Sequence, residues 1–335
     1  MNYLSARAIP FIFIIDYDCS APLIFPMRCI DGSRQYEILH TDASYSSSSG
    51  INSNDIIFEI NGITNNTKYQ PVEKVITLKK EAVQYSRYKK AFDYIIENQR
   101  IGNSYLANLT FPTKLITDTT LDELYNVSIA KYKLLVKNKF VVFSPETFIT
   151  IKNGLIMTRP MKGTITSEIP NAAEIIMQNE KEFAEHMTVV DLLRNDLNMV
   201  AENVRVEKFR YIDEIKTSSK NLLQVSSLIT GDLKNEYKCC LGDMFQKLLP
   251  AGSVTGAPKR KTVEIINQAE GYDRGYYTGV FGIFDGQNLD SGVMIRFVEK
   301  FEDELYFKSG GGITVYSEPE KEYQELLDKV YVPVG

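Results

Sequence analysis

The sequence predicts a mixed chain of strands and helices folded as one unit. Three observations lead there. Residues up to about 75 read as short strands and loops, helix-period segments begin near Leu78 and are interleaved with further strands, and neither an internal repeat nor a linker divides the chain. With 335 residues, 44% of them hydrophobic, the chain can bury a sizeable core. Length by itself suggests about two domains, but large α/β and α+β enzymes often stay as one.

The elements follow in order. The apolar run Ile9 to Ile15 lacks a basic flank and a cleavage site, and Asp16 and Asp18 follow it, so it reads as a buried strand and not a signal peptide. A polar tip follows at Ser46 to Gly50. Glu81 to Gln99 reads as an amphipathic helix with Val83, Tyr88, Phe92, Ile95 and Ile96 on one side. Ser104 to Phe111 reads as a strand and Leu121 to Val136 as a helix. Lys139 to Thr158 alternates like strands around the hairpin signal Asn153-Gly154. Glu174 to Met199 is a long helical pattern, and Tyr237 to Leu248 a shorter one. Pro258 suits the first turn of a helix running to Ala269. Tyr277 to Phe284, Gly292 to Lys300 and Leu305 to Lys308 read as a three-strand meander, and a helix from Pro319 to Val330 closes the pattern.

A net charge of -5 argues against a nucleic-acid or anionic-membrane footprint, so an anionic substrate needs a local site. The cysteines Cys19, Cys29, Cys239 and Cys240 show no metal spacing. They read as reduced thiols of a cytoplasmic protein. No run is long enough to span a bilayer.

Four groups of residues could carry chemistry. A three-residue hairpin loop, Lys152-Asn153-Gly154, with Gly154 in a G1 bulge, would pair Ile151 with Leu155 and Glu146 with Pro160. Glu146 and Lys162 then become diagonal neighbours on one face, roughly 7–8 Å apart at Cα, with room for a flat ring between acid and amine. A strict two-residue turn would put them on opposite faces, and a plain salt bridge is the simpler account of the pair. Glu182 and Glu185, beside His186, and Glu322 and Glu325 are i, i+3 pairs on two helices. Converging, they would suit Mg²⁺; otherwise they are solvated faces, with Glu325 paired to Lys329. The loop Gly252 to Lys259 precedes a helix and favours anions, although it is not a P-loop. Gly310-Gly311-Gly312 permits close backbone approach to a ligand. Arg296, alternating with Ile295 and Phe297, points away from their face, either lining a carboxylate site or making a structural ion pair.

Taken in order, Ser144-Pro-Glu146, Pro160-Met-Lys-Gly-Thr164, Ala184-Glu-His186, Asp191-Leu-Leu-Arg-Asn-Asp196, Ala251 to Lys259, Ile295-Arg-Phe297, Gly310-Gly-Gly-Ile313 and Glu322-Tyr-Gln-Glu325 with Lys329 resemble the chorismate-utilising enzymes. The resemblance covers about residues 80 to 332 and overturns the local readings of the glutamates and Arg296. It implies a single large α+β domain over 1–335, with antiparallel sheets stacked and flanked by helices. Within it, 1–79 is a shortened N-terminal β-rich portion and 80–332 the catalytic core. It implies Mg²⁺ held by Glu185 and Glu325, with Glu182 and Glu322 close behind, on the ring carboxylate of chorismate. Tyr277, Arg296 and the backbone of Gly310, Gly311 and Gly312 would hold the enolpyruvyl carboxylate. Gly163, Thr164, Thr255 and Lys329 would line the remainder.

Lys162 sorts the chemistry within that resemblance. Similar anthranilate synthases carry alanine there, aminodeoxychorismate synthases carry lysine, and isochorismate synthases place a water-activating lysine where this chain has Leu106. The implied activity is amination at C4 toward p-aminobenzoate and folate. In it, Lys162 attacks C2, Glu146 protonates the departing C4 hydroxyl, and ammonia then displaces the lysine. Desolvation or a nearby cation must lower the Lys162 pKa. Anthranilate synthase component I and a non-catalytic chorismate-binding subunit are the alternatives. Departures from the pattern are Leu106 for a glutamine, Asn221-Leu-Leu-Gln224 for a histidine-containing run, and no Leu-Leu-Glu-Ser tryptophan element. No Gly-x-Cys-x-Gly glutaminase motif is present, and the only histidines are His40 and His186. A glutamine amidotransferase subunit is therefore the expected ammonia source, with a separate lyase downstream.

Overall fold

The computed structural model describes residues 1–30, 32, 34–39, 50–66, 76–216 and 221–334. His40 and positions 46–49 of the polar tip lie outside the described residues.

Two antiparallel sheets stack face to face. Among the described residues, the first has ten strands, running Met161–Thr166, Asn221–Leu233, Leu155–Thr158, Thr147–Lys152, Leu289–Val293, Val280–Phe284, Phe11–Ile15, Leu23–Cys29 and Tyr36–Ile38, with Ala201–Lys216 also paired to Asn221–Leu233. The second has nine, running Gly256–Ala257, Leu106–Ile116, Glu304–Ile313, Phe297–Phe301, Phe140–Ser144, Tyr132–Val136, Ile56–Ile60 and Ile63–Thr64, with Lys79–Glu81 paired to Leu106–Ile116.

The apolar run near the N-terminus shows why the layers form. Phe11, Phe13 and Ile15 pack with Leu193, Leu197, Met244 and Phe245 of helices Glu180–Val200 and Leu241–Leu248. Ile12 and Ile14 point the other way, onto Phe58, Leu134, Val142 and Phe297 of the second sheet. A strand buried on both faces has no polar alternation, and this one reads accordingly. The far face of the second sheet carries Leu109 and Phe111 against Tyr88, Phe92, Ile95, Ile265 and Leu326 of helices Tyr85–Arg100, Lys259–Glu270 and Pro319–Asp328. The result is four layers, helix–sheet–sheet–helix, and the α+β expectation holds. The sheets approach closely at Gly292, where an added Cβ would stand 2.6 Å from the Tyr132 ring. Tyr132 crosses the gap, its hydroxyl donating to Asp290 Oδ1 (2.7 Å) and lying 2.9 Å from the Thr147 hydroxyl. No helix among the described residues is long and apolar enough to cross a membrane.

Several expectations need correction. The helix expected over Leu121 to Val136 stops at Val127, and Tyr132–Val136 is a strand. Leu121, Leu124 and Tyr125 have helical spacing, but all five strand residues are buried, which a position between two layers allows and one helix face does not. The long pattern from Glu174 splits into Ala172–Gln178 and Glu180–Val200, because Asn179 is extended and its side chain caps the second helix at Glu182 N. Tyr237 to Leu248 likewise becomes Asn235–Lys238 and Leu241–Leu248. Pro258 is the N-cap of its helix and not in its first turn. The Glu81 helix begins at Tyr85, after the short strand Lys79–Glu81.

The expected meander is two hairpins in different sheets. Val280–Phe284 pairs with Leu289–Val293 in the first, and Phe297–Phe301 with Glu304–Ile313 in the second. The chain crosses between sheets at Met294 to Arg296, and Arg296 takes φ 52. Arg296 therefore owes its direction to this crossing and not to strand alternation. The Asn153-Gly154 hairpin has a two-residue turn, with φ 52 and 79 and Lys152 paired to Leu155, so the G1-bulge register is wrong.

Candidate active site

That register alone would separate Glu146 from Lys162, yet both line one cavity of about 810 Å³. Two irregularities reconcile them. The ladder between Thr147–Lys152 and Leu289–Val293 shifts between Thr147 and Thr150. After Thr158 the chain stays on the strand Asn221–Leu233, with Ser227 N donating to the Pro160 carbonyl (3.0 Å), and continues as Met161–Thr166; a second shift falls between Met161 and Thr164, where Gly163 takes φ 80. Strand parity is lost across those shifts.

The cavity gathers every predicted site residue except Glu322. Its walls come from Met161–Thr166, helix Glu180–Val200, the loop from Ser253 to Gly256, Leu106 and Asn108, Tyr277, the crossing at Ile295-Arg296, the Gly310 to Gly312 run, and the last helix with Lys329. Glu322 is buried just behind: its Oε2 lies 3.6 Å from where a Cβ on Gly311 would be, and Glu325 Oε1 lies 3.5 Å from the same point. Glycine at 311 thus leaves room beside two carboxylates. The left-handed Gly163 does the same for Glu182, whose Oε2 would be 3.3 Å from an added Cβ.

Lys162 Nζ pairs with Glu185 Oε2 at 2.7 Å. Burial alone would lower its pKa, but the charge and hydrogen bond of Glu185, with Glu325 and Glu182 beyond, outweigh burial and hold it above the ordinary lysine value. This reverses the expected lowering: in this state Lys162 is an ammonium, and it becomes nucleophilic only once it leaves its carboxylate partner. Glu146 goes the other way. Burial holds its carboxyl above the usual carboxylate range, against the opposing pull of Ser253, Lys329, Arg296 and Lys162. A carboxyl held above its ordinary range is better placed to give up a proton near neutral pH. Lys329 Nζ binds Glu325 Oε1 (2.6 Å) and the Gly310 carbonyl (2.8 Å). Arg296 lies 4.8 Å over the Tyr331 ring.

The glycine-rich loop is partly structural. Ser253, Val254, Thr255 and Gly256 face the cavity, but Lys259 turns away to Asp196 Oδ1 (2.9 Å) and the Leu248 carbonyl (2.7 Å). Thr255 donates to the Ala251 carbonyl at 2.8 Å. The sequence reading missed Ser253, which donates to Glu146 Oε1 at 2.6 Å, and Gln224, which donates to Thr164 Oγ1 at 3.4 Å. It also missed the buried pair Arg274–Glu270 (2.6 Å) behind the walls. Arg274 donates to the carbonyls of Val254 (2.8 Å) and Asn108 (2.7 Å), and Glu270 accepts from Thr110 N (2.8 Å). Two oppositely charged residues four apart in sequence, Glu270 closing its helix and Arg274 in the loop beyond, were the signal available for it.

The donor chemistry around Glu182, Glu185, Glu322 and Glu325 fits a hard divalent cation, being all carboxylate oxygen. Among the described residues no three such groups are yet gathered into a formed metal centre; Glu185 and Glu325 are each turned to a lysine.

An acid and a lysine facing one another across a cavity walled by carboxylates and a glycine run accord with the family that the chain matches. It belongs to the chorismate binding enzymes, whose family model matches residues 19–334. Among particular relatives, it is 44% identical over 333 residues (99% of this chain, 95% of the relative) to a Haemophilus influenzae protein named an uncharacterized PabA-like protein. It is 36% identical over 196 residues (56% of this chain, 40% of the relative) to aminodeoxychorismate synthase component 1 of Bacillus subtilis. The crystal structure of anthranilate synthase component I from Streptococcus pneumoniae shares the fold, with TM-score 0.69 at 21% identity over 96% of this chain and 79% of that one.

Proposed function

We propose that this chain aminates chorismate at C4, giving 4-amino-4-deoxychorismate on the way to p-aminobenzoate. The observation that carries the reading is Lys162, an amine in the same cavity as a carboxyl that burial holds above the usual carboxylate range. The name of the Bacillus subtilis relative points the same way.

The cavity residues divide the work. Arg296, Tyr277 and the Gly310 to Gly312 backbone would hold the enolpyruvyl carboxylate; Gly163, Thr164, Thr255 and Lys329 would line the ring. Glu185 and Glu325, with Glu182 and Glu322 close by, would hold Mg²⁺. When bound, that ion would supply positive charge for the ring carboxylate. Lys162, as the free amine, attacks C2; the double bond shifts and the C4–O bond breaks. Glu146 gives its proton to the departing oxygen, which leaves as water. Ammonia then attacks C4, the double bond shifts back and the C2–N bond to Lys162 breaks. The sum is chorismate plus ammonia giving aminodeoxychorismate plus water. A glutamine amidotransferase partner would supply ammonia in the cytoplasm, and a separate lyase would release p-aminobenzoate.

The test is direct. Protein, chorismate, Mg²⁺ and ammonium should yield 4-amino-4-deoxychorismate on separation; anthranilate as the sole product overturns the reading in favour of an anthranilate synthase component I. Lys162→Ala should lower kcat roughly a hundredfold or more, and intact-protein mass spectrometry of wild type under turnover should show a substrate-sized adduct that the variant lacks. An unchanged rate and product in Lys162→Ala removes the covalent role. Tight chorismate binding with no turnover would leave a binding subunit.

A further inference from the structure

In the loop Gly252 to Gly256, Ser253 Oγ donates to Glu146 Oε1 at 2.6 Å, just before the first-sheet strand Thr147–Lys152. The backbone of Glu146 is tied on both sides as well: its N–H donates to Ser144 Oγ (3.1 Å), and its carbonyl accepts from Val293 N (3.1 Å). The carboxyl is therefore offered to the cavity from a fixed stem, with one oxygen already engaged. A protonated carboxyl has one oxygen that carries the proton and one that only accepts. A hydroxyl donating to Oε1 makes Oε1 the acceptor and leaves the proton on Oε2.

We propose that Ser253 is a positioning residue for proton transfer by Glu146: its hydroxyl fixes the acid proton on Oε2 and tightens on Oε1 as the carboxylate forms. The inference rests on the reading of Glu146 as the general acid. In the step, the Oε2–H bond breaks and a bond from that proton to the departing C4 oxygen forms. Water leaves, and Glu146 remains as a carboxylate whose charge is shared with Oε1. A hydrogen bond to a charged acceptor is about twice as strong as a neutral one, so the Ser253 contact gains strength along the reaction. An interaction stronger in the transition state than in the ground state lowers the barrier and not merely KM.

The other groups facing Glu146 are Lys329 from the end of the last helix, Arg296 from the sheet crossing, Lys162 from Met161–Thr166, and Tyr277. All remain when Ser253 is changed. Burial pushes the Glu146 carboxyl up, and Ser253 is the strongest of the groups pulling it back down. Removing the hydroxyl therefore moves the titration of Glu146 upward, a signature that a loosened loop does not produce.

The experiment follows kcat and KM for chorismate from about pH 5 to 9 in wild type, Ser253→Ala, Ser253→Thr and Glu146→Gln. Glu146→Gln identifies the limb of the profile that belongs to Glu146, by removing it. Ser253→Ala should lower kcat about tenfold with KM little changed, and move that limb to higher pH. Ser253→Thr, which keeps the hydroxyl, should restore both. Should alanine loosen the loop, Ser253→Cys keeps a weak donor of similar size and should fall between. A Ser253→Ala enzyme with the limb in place overturns the inference, as does a loss of kcat that threonine does not rescue. A profile unaltered by Glu146→Gln removes the acid reading itself, and the inference with it.

Discussion

His186 stands next to Glu185 in sequence yet does not line the cavity. Its Nε2 meets Ser227 Oγ at 2.7 Å, its ring lies edge-on to Phe209, and Nδ1 has no hydrogen-bond partner among the described residues. Burial, with Arg210 and Lys162 adding repulsion, pushes its pKa down to about 4. The sign follows from linkage: a histidine depressed in the folded state takes up protons first in the unfolded chain. Stability is therefore full above the unfolded value near 6.5 and is lost as pH falls from there toward about 4, by roughly 3 kcal/mol. Thermal unfolding followed between pH 7 and 4.5 should show His186→Phe losing less Tm than wild type; equal losses would remove histidine protonation as the cause. At this scale the residue types were legible and their protonation was not. The sequence reading asked for a lowered Lys162, whereas three glutamates from two helices converge on it and raise it. Charges brought together only by folding decide such values.

Elements show where local pattern suffices and where it fails. Thr120 and Glu123 form a capping box and start their helix as local chemistry dictates. The Asn153-Gly154 turn was visible, but its register was not, since I′ and G1-bulge turns use the same residues. Neither the sheet crossing at Met294 to Arg296 nor the ladder shift around Gly163 has a periodic signature, and both fall among residues that line the cavity. The glycine-rich loop makes its own prediction. Gly256 takes φ 129, and a Cβ there would overlap the Leu106 carbonyl oxygen. Gly256→Ala should cost more than about 2 kcal/mol in urea unfolding and raise KM for chorismate, because relief requires moving Ser253 to Thr255 off the cavity wall. Unchanged stability would mean that the strand Leu106–Ile116 yields instead.

For the whole molecule, the buried pair Arg274–Glu270 is the tie between walls. It reaches the Val254 carbonyl in the loop and the Asn108 carbonyl and Thr110 N in the second sheet, with both side chains almost wholly buried. Removing one partner strands the other charge, so Arg274→Met should destabilise by about 3–5 kcal/mol in urea unfolding, whereas the double change Arg274→Met with Glu270→Met should recover much of it. Additive losses would show that the pair acts through its backbone contacts instead. The sequence by itself determined the inventory: a mixed fold in one unit, a buried first strand, and an ordered set of acids, lysine, arginine and glycines that nearly all reach one cavity. Those follow from composition and short-range order, which are written residue by residue. Tertiary structure alone decided that Glu146 and Lys162 share a cavity, that Lys162 is held as an ammonium, that Lys259 and His186 turn away, and that Ser253 stands on the acid. Each of these depends on ladder shifts, sheet crossings and burial, and those exist only once distant segments have packed.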